Sequence, residues 1–280
     1  MQITEREERL RYSSSEGGSF DEASANMDQQ SVYNLLDFSN GTFEAPFAGL
    51  PTVTKPVSNA NIVLQGFKAP LGNCPASTAL SIGQPGTEQC WNGGNPQLWD
   101  YVGIMGAYPD PAGRTNVSSI SPNYDAGQYT NTGLLGVAKP TRIRDAIDGT
   151  SNTMLVGEQS GLVSGVDIRS NYYGGWSGFS GVATGGNTLS NAPPPWTQFG
   201  AQYDVWSSGV TTVRYNPNVK VAGPGALHSY EPNTILNSFH AGGINALIGD
   251  GSVRFIGDSI NFGTLARVAS MNDGLVVGEY

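Results

Sequence analysis

Residues 237–262, NSFHAGGINALIGDGSVRFIGDSINF, decide the fold of this chain because several local rules agree on one structure there. The dipeptide Asp250-Gly251 tolerates the positive φ angles of a type I′ turn, and it lies between two β-favouring runs, 244–248 and 252–256. This arrangement predicts a β-hairpin whose register is fixed by the length of its turn.

The second arm of the hairpin has alternating side chains. Alternation places Val253 and Phe255 on one face of the strand and Arg254 on the other, so that one face should belong to the core and the other to the surface. Capping residues after the hairpin predict a short helix over 261–271, and a last strand is expected over 274–280.

The same stretch resembles the C-terminal signature of a known family. A phrase of the type F-H-x-G-G-x-N-x-L-x-x-D-G-S-V-R-F-I closes the domain in a large family of secreted proteins of unknown function, abundant in planctomycetes. Residues 143–158, IRDAIDGTSNTMLVGE, resemble a second phrase of that family, and weaker echoes occur at 33–38 and 73–75. The resemblance extends over roughly residues 28–280.

The resemblance implies a pilin-like or pseudopilin-like exported subunit, usually made with a prepilin-type leader and a long apolar N-terminal helix. It implies no catalytic chemistry. The sequence has no apolar run near the ~20 residues of a membrane span, and residues 1–11 are too charged for a signal peptide. We therefore expect either that a leader has been removed or that this member assembles without one.

Composition favours loops and β-structure in an acidic extracellular protein. Only 13% of the residues are charged and 38 are glycine. A net charge of −9 and a pI near 4.6 argue against binding to nucleic acid, which needs clustered Lys and Arg, and against an anionic membrane surface. The acidity is explained by solubility, although it also suits Ca²⁺. The predicted location is the cell surface or a secreted appendage.

The two cysteines predict a disulfide. Cys74 and Cys90 lie in a segment rich in Pro, Gly and Ser, and a bond between them would contribute about 3 kcal/mol in the chain-entropy model. A redox pair would usually have C-x-x-C spacing, and a zinc site would need a histidine that this segment lacks. A structural cross-link places the protein in an oxidising compartment.

The predicted fold class is α+β and mainly antiparallel β, a pilin-like globular domain with one N-terminal helix and long loops. The helix is expected over 21–36, within a single domain of residues 21–280. Residues 1–20 form a polar N-terminal arm. Its apolar residues, predicted to contact a neighbouring subunit, are Ile3, Leu10 and Tyr12. The alternative is an arm that lies on its own domain.

Three carboxylates form a candidate Ca²⁺ site. Asp145, Asp148 and Glu158 are close in sequence, and hard cations prefer oxygen ligands. Their spacing fits neither an EF-hand nor a glycine-rich calcium repeat, and an Asp-Gly-Thr-Ser run at 148–151 more often stabilises its own turn. We otherwise expect no cofactor.

No motif for an enzyme is present. The sequence has no nucleophile elbow, no Walker lysine, no G-x-G-x-x-G and no H-E-x-x-H. Its two histidines, His228 and His240, could join Asp250 in a metal site, but a lone histidine is more often a structural residue. We predict that the chain is not an enzyme.

Aromatic side chains and glycosylation motifs point to surface roles. Trp176, Trp196 and Trp206 lie in a glycine-rich stretch, where such rings form core, a subunit interface or a platform for sugars. Asn40 and Asn116 match the N-glycosylation pattern.

The sequence favours a structural function. The main hypothesis is a subunit of an extracellular pilus-like filament that polymerises head to tail through its N-terminal arm and loop surfaces, with other copies of itself as partners. The alternative is a monomeric secreted carbohydrate-binding module, with glycans as partners.

Overall fold

A five-stranded mixed β-sheet is the centre of the fold. The structure is a computed structural model, and it describes residues 9–10, 29–35, 66–84, 87–88, 97–121, 126–136, 141–171, 180–184, 188–189, 203–278 and 280. The strands are β1 (Arg9–Leu10), β2 (Tyr101–Ala107), β3 (Ser118–Ser121), β4 (Gly127–Thr130), β5 (Thr141–Arg142), β6 (Met154–Glu158), β7 (Ser180–Thr184), β8 (Thr188–Leu189), β9 (Tyr203–Ser207), β10 (Val210–Val213), β11 (Gly243–Ile248) and β12 (Val253–Gly257). The α-helices are α1 (Gln30–Tyr33), a single turn, and α2 (Phe262–Ala269).

The strands of the central sheet lie in the order β10-β2-β6-β11-β12. Strand β10 runs parallel to β2, and the other three neighbouring pairs are antiparallel. Three smaller sheets pair β1 with β5, β3 with β4, and β7 with both β8 and β9.

Helix α2 covers one face of the central sheet. The side chain of Asn261 caps its first turn by accepting hydrogen bonds from the backbone N–H groups of Gly263 at 2.8 Å and Thr264 at 3.4 Å. Its apolar stripe then packs on the sheet, which buries both surfaces. The core residues include Val102, Ile104, Met154, Ala246, Ile248 and Ile256 from the strands, and Leu265, Val268 and Ala269 from α2.

The predicted hairpin is confirmed, but its turn is of another type. Strands β11 and β12 pair in antiparallel register. Gly251 has a φ of +88°, whereas Asp250 has no positive φ, so the turn is not type I′. The backbone N–H of Gly251 donates to the carbonyl of Ile248 at 2.9 Å, which closes a four-residue β-turn over 248–251. Gly251, the last residue of this turn, has the left-handed backbone conformation.

The predicted alternation of side chains along β12 is also confirmed. The face that carries Val253 and Phe255 is the exposed one. Val253 is 68% exposed and Phe255 is 50% exposed, while Ile256 is fully buried. Arg254 is half-buried on the side of the core, where its Nη1 donates to the hydroxyl of Tyr280 at 2.8 Å. The outward face of the hairpin is therefore apolar.

The predicted fold class is wrong in two respects. The sheet is mixed, because β10 is parallel to β2, and the helix that packs on it is C-terminal. Around the predicted N-terminal helix, the described residues 29–35 contain only the turn α1, in which Val32 is buried and Leu35 is exposed. The rest of the predicted helix, residues 21–28 and 36, lies outside the described residues.

Two further features concern the C-terminal residues and membrane spans. The predicted last strand does not form in residues 274–278 and 280. In the part of the chain that the structure describes, no helix is long and apolar enough to cross a membrane.

A buried ion pair joins three loop segments beside the sheet. The fully buried Arg169 guanidinium contacts Asp100 Oδ1 at 2.5 Å and Asp167 Oδ2 at 2.6 Å, and it donates to the carbonyl of Leu80 at 2.6 Å. The other oxygen of Asp100 accepts a hydrogen bond from the backbone N–H of Cys74 at 2.8 Å. This network therefore fixes the position of Cys74 relative to the sheet.

Replacement of Arg169 by methionine should destabilise the protein by about 3–5 kcal/mol, because it leaves the Asp100 carboxylate buried without its partner. The free energy of unfolding in urea is the measurement. Arg144→Met is the matched control, since Arg144 is exposed and its loss should change stability by no more than about 0.5 kcal/mol. Equal effects of the two substitutions would contradict this account of the ion pair.

Candidate functional site

Three segments that are distant in sequence meet at Cys74, Glu158 and His240. The Sγ atom of Cys74 lies 3.4 Å from Nε2 of His240, and that nitrogen lies 3.7 Å from Oε1 of Glu158. Their ligand atoms all lie within 4.8 Å of one another, and no other set of three His, Cys, Asp or Glu side chains does so among the described residues. Each residue comes from one of the phrases of the family resemblance.

The site lies on the face of the sheet opposite α2. Gly157 faces the core, where an added Cβ would lie 2.7 Å from Leu236. Because successive residues of a strand point to opposite faces, Glu158 at the end of β6 points away from α2. Tyr101 on β2 lies directly across from Glu158 and shares that face.

The Glu158 carboxylate is fully buried and accepts four hydrogen bonds. Oε1 accepts from the hydroxyls of Ser160 at 2.6 Å and Ser238 at 2.7 Å, and Oε2 accepts from the backbone N–H and side-chain amide of Asn245 at 2.9 and 3.2 Å. Burial alone would raise the pKa of Glu158, but these donors outweigh it and lower the pKa below the usual value. The buried group is therefore an ionised carboxylate.

The surroundings of Glu158 are electronegative. Burial, together with the nearby Glu158 carboxylate, raises the pKa of the Cys74 thiol. Burial also raises the pKa of Tyr101 to about 12, and the negative charges near it add to the shift. Cys74 is consequently a neutral thiol at neutral pH and is not an activated nucleophile.

The geometry does not match a catalytic triad. In a triad the histidine uses one ring nitrogen for the nucleophile and the other for the carboxylate that orients it. Here the same nitrogen, Nε2 of His240, faces both Cys74 and Glu158. Three donor atoms that converge on one point are the arrangement of a chelating site.

Two glycines of the signature shape the segment that carries His240. Gly242 has a φ of +83°, with open space where a side chain would lie. At Gly243, an added Cβ would lie 2.3 Å from the carbonyl oxygen of Ile256 and 2.7 Å from the ring of Phe255. The close approach of β12 to β11 therefore requires glycine at 243, next to the loop that ends in His240.

The predicted Ca²⁺ ligands are not brought together. Asp145 Oδ2 accepts from the backbone N–H of Arg142 at 2.8 Å. Asp148 accepts from the backbone N–H groups of residues 273–274 at 2.6 and 2.9 Å. Among the described residues, neither aspartate joins Glu158 in a group of converging ligand atoms. Asp145 stabilises a turn of its own segment, whereas the Asp148 side chain binds the C-terminal turn at 273–274 and not its own turn.

The two histidines also lie in different environments. Nδ1 of His228 contacts Glu88 Oε1 at 2.5 Å, and Asp250 accepts from Ser252 within its own turn at 2.9 Å. These two therefore do not join His240, whose partners are Cys74 and Glu158.

The remaining predicted site residues lie partly within and partly outside the described residues. Cys74 is a free thiol and Cys90 is not described, so the predicted disulfide is not seen. Asn116 is exposed, as a glycosylation site requires. Trp206 belongs to β9, but its side chain is not described, so the carbohydrate-binding alternative stays a prediction. The other predicted residues outside the described ranges are Ile3, Tyr12, Asn40, Trp176 and Trp196.

A comparison with models of protein families matches most of the chain. Residues 17–263 match the family described as "Protein of unknown function (DUF1559)". The chain belongs to this family. No curated protein and no solved structure matches it. The match includes all of Cys74, Glu158 and His240, and it agrees with the resemblance to a family of unknown function; the pilin-like character implied by the resemblance remains a prediction.

Sequence reasoning missed the site because Cys74 and His240 are 166 positions apart. No histidine lies near the cysteines in sequence, but the fold brings His240 to Cys74 from the C-terminal signature. A usable signal was present, since Cys74, Glu158 and His240 each lie in a different phrase of the resemblance and are residue types that can bind a metal.

Substitution of the two signature glycines by alanine should have unequal effects. Gly243→Ala should cost about 3 kcal/mol or more, because the new methyl group overlaps the backbone of β12. Gly242→Ala should cost only about 1–2 kcal/mol, the strain of a positive φ in open space. Urea denaturation measures both, and a larger loss for Gly242→Ala would contradict the assigned roles.

Proposed function

We propose that this chain is an exported structural subunit that associates with copies of itself into an extracellular filament. The observation that carries the proposal is the outward face of the C-terminal hairpin, where Val253 and Phe255 are 68% and 50% exposed. Large apolar side chains at adjacent outward positions of one strand are typical of a surface that another protein covers.

The apolar surface continues across the sheet. Leu247 of β11 lies opposite Val253, and Val156 of β6 lies opposite Leu247; both are half-buried. With Phe255, these residues form a band that we call the open face. Covering one such side chain completely is worth about 1.5–3 kcal/mol, so the band can contribute substantially to association.

Strand β12 also offers an unpaired backbone edge. Among the described strands it pairs only with β11, and its sequence, VRFIG, contains neither the proline nor the lysine that commonly protects edges. An apolar edge strand of this kind favours addition of a strand from another chain. A contact between this edge and a different surface of the next copy would not close, so it would propagate into a fibre.

The N-terminal arm is a weaker candidate for the contact between neighbouring copies. Strand β1 (Arg9–Leu10) pairs with β5 (Thr141–Arg142) of the same chain, which is the arrangement that the alternative for the arm predicts. For the arm to join two copies, this two-residue pairing must be exchanged between neighbours. The hairpin is therefore the main contact in our proposal.

The double substitution Val253→Thr with Phe255→Thr should weaken self-association. Threonine preserves the tendency to form a strand while removing apolar surface, and a loss of about 2 kcal/mol per interface corresponds to roughly a 30-fold weaker contact. Sedimentation velocity and negative-stain electron microscopy over a concentration series measure the effect.

Val166→Thr is the matched control, because Val166 is 56% exposed and its backbone hydrogen bonds are to Val163 and not to the hairpin. It should assemble as the unmodified protein does. An unmodified protein that stays monomeric at high concentration would exclude the proposal.

Deletion of residues 1–20 tests whether the hairpin or the N-terminal arm joins neighbouring copies. If the hairpin is the main joint, the truncated chain should still form fibres, whereas loss of all fibres would assign the joint to the arm. Electron microscopy of the truncated and complete chains at equal concentration gives the answer, with circular dichroism to confirm that both are folded.

A further inference from the structure

At Cys74, Glu158 and His240, two of the three separations between donor atoms are close to those around a tetrahedral zinc ion, and the third is within 4.8 Å. With Zn–S near 2.3 Å and Zn–N and Zn–O near 2.0–2.2 Å, neighbouring donors lie about 3.4–3.6 Å apart. The observed separations are 3.4 Å between Sγ and Nε2 and 3.7 Å between Nε2 and Oε1.

A second observation, independent of spacing, also points to a cation. Glu158 is a fully buried carboxylate, and His240 is the only basic side chain within ion-pair distance of it in the described part of the chain. Its other contacts are neutral donors from Ser160, Ser238 and Asn245. Buried charges are usually paired with opposite charge or bound to a metal, and carboxylates that bind metals are themselves held by such hydrogen bonds.

We propose that Cys74 Sγ, Glu158 Oε1 and His240 Nε2 bind one Zn²⁺ ion, with a fourth ligand from outside this set. Thiolate and imidazole donors select zinc over calcium and magnesium, which prefer oxygen alone. The Cys74 thiol would release its proton on binding, and the resulting thiolate and the Glu158 carboxylate together would balance the two positive charges of the ion. The pocket accepts an ion from solvent, because the His240 side chain is 37% exposed.

The bound ion would hold three parts of the fold together. It would connect the segment at Cys74, the end of β6 at Glu158 and the loop at His240 before β11. Because only the folded protein would bind the ion, thermal stability should rise with the logarithm of the zinc concentration once that concentration exceeds the dissociation constant. This inference does not depend on the proposed function, since a chain that fails to assemble could still bind zinc.

The experiment uses the complete, tag-free chain, reduced and freed of metal with a chelator. Zinc chloride alone is titrated by calorimetry, and Co²⁺ is then used as a coloured substitute. We expect one equivalent of Zn²⁺, a higher Tm, and a thiolate-to-cobalt charge-transfer band. His240→Ala and Cys74→Ser should each weaken binding at least about 100-fold, because even residues that only support ligands cost 10–100-fold.

His228→Ala is the matched control, because His228 contacts Glu88 and belongs to no converging group of described ligands. It should bind zinc as the unmodified chain does. His240→Ala is the decisive variant, since His240 is partly exposed and its loss should leave the fold intact by circular dichroism.

Three results would overturn the proposal. The first is the absence of stoichiometric zinc binding, and the second is equal binding by the His240→Ala and His228→Ala chains. The third is a Cys74–Cys90 disulfide in the protein as isolated, found by peptide mass spectrometry, because Cys74 would then have no thiolate to offer.

Discussion

The structure depends on an ionised carboxylate buried at the end of its central strand. The Glu158 side chain is fully buried, so its charge must be stabilised from inside the protein. Ser160, Ser238 and Asn245 do this from three different segments, and their hydrogen bonds hold those segments in register with β6. Loss of one donor would affect the ends of both β6 and β11. One carboxylate thus orders the surroundings of Cys74 and His240.

The two faces of the central sheet differ in what covers them. One face is closed by α2, with Ile104, Met154 and Ile256 in a continuous apolar core. The other face carries the Cys74–Glu158–His240 group at one end of β6 and the open face of the hairpin beside it. Stability therefore comes mainly from the α2 side, which leaves the opposite side available for binding.

Local features could be predicted from sequence, and long-range ones could not. The hairpin at Asp250-Gly251 and the helix that follows were predicted because turn residues and capping residues act over a few positions. The parallel pairing of β10 with β2 was missed because nothing in either strand specifies a partner about a hundred residues away. The meeting of Cys74 with His240 was missed for the same reason. Of the helix expected over 21–36, the described residues 29–35 form only the single turn α1.

The pairing of Phe255 with Asn245 has a consequence for any ligand of this sheet. Asn245 lies between Phe255 on β12 and Glu158 on β6, in one cross-strand row, and its amide donates to the Glu158 carboxylate. A neighbour that displaces the Phe255 ring must act on Asn245, and an event at Glu158 acts on the same residue from the other side. If both surfaces bind ligands, the two ligands would meet at this one amide side chain, and any effect of one on the affinity of the other would be equal in both directions.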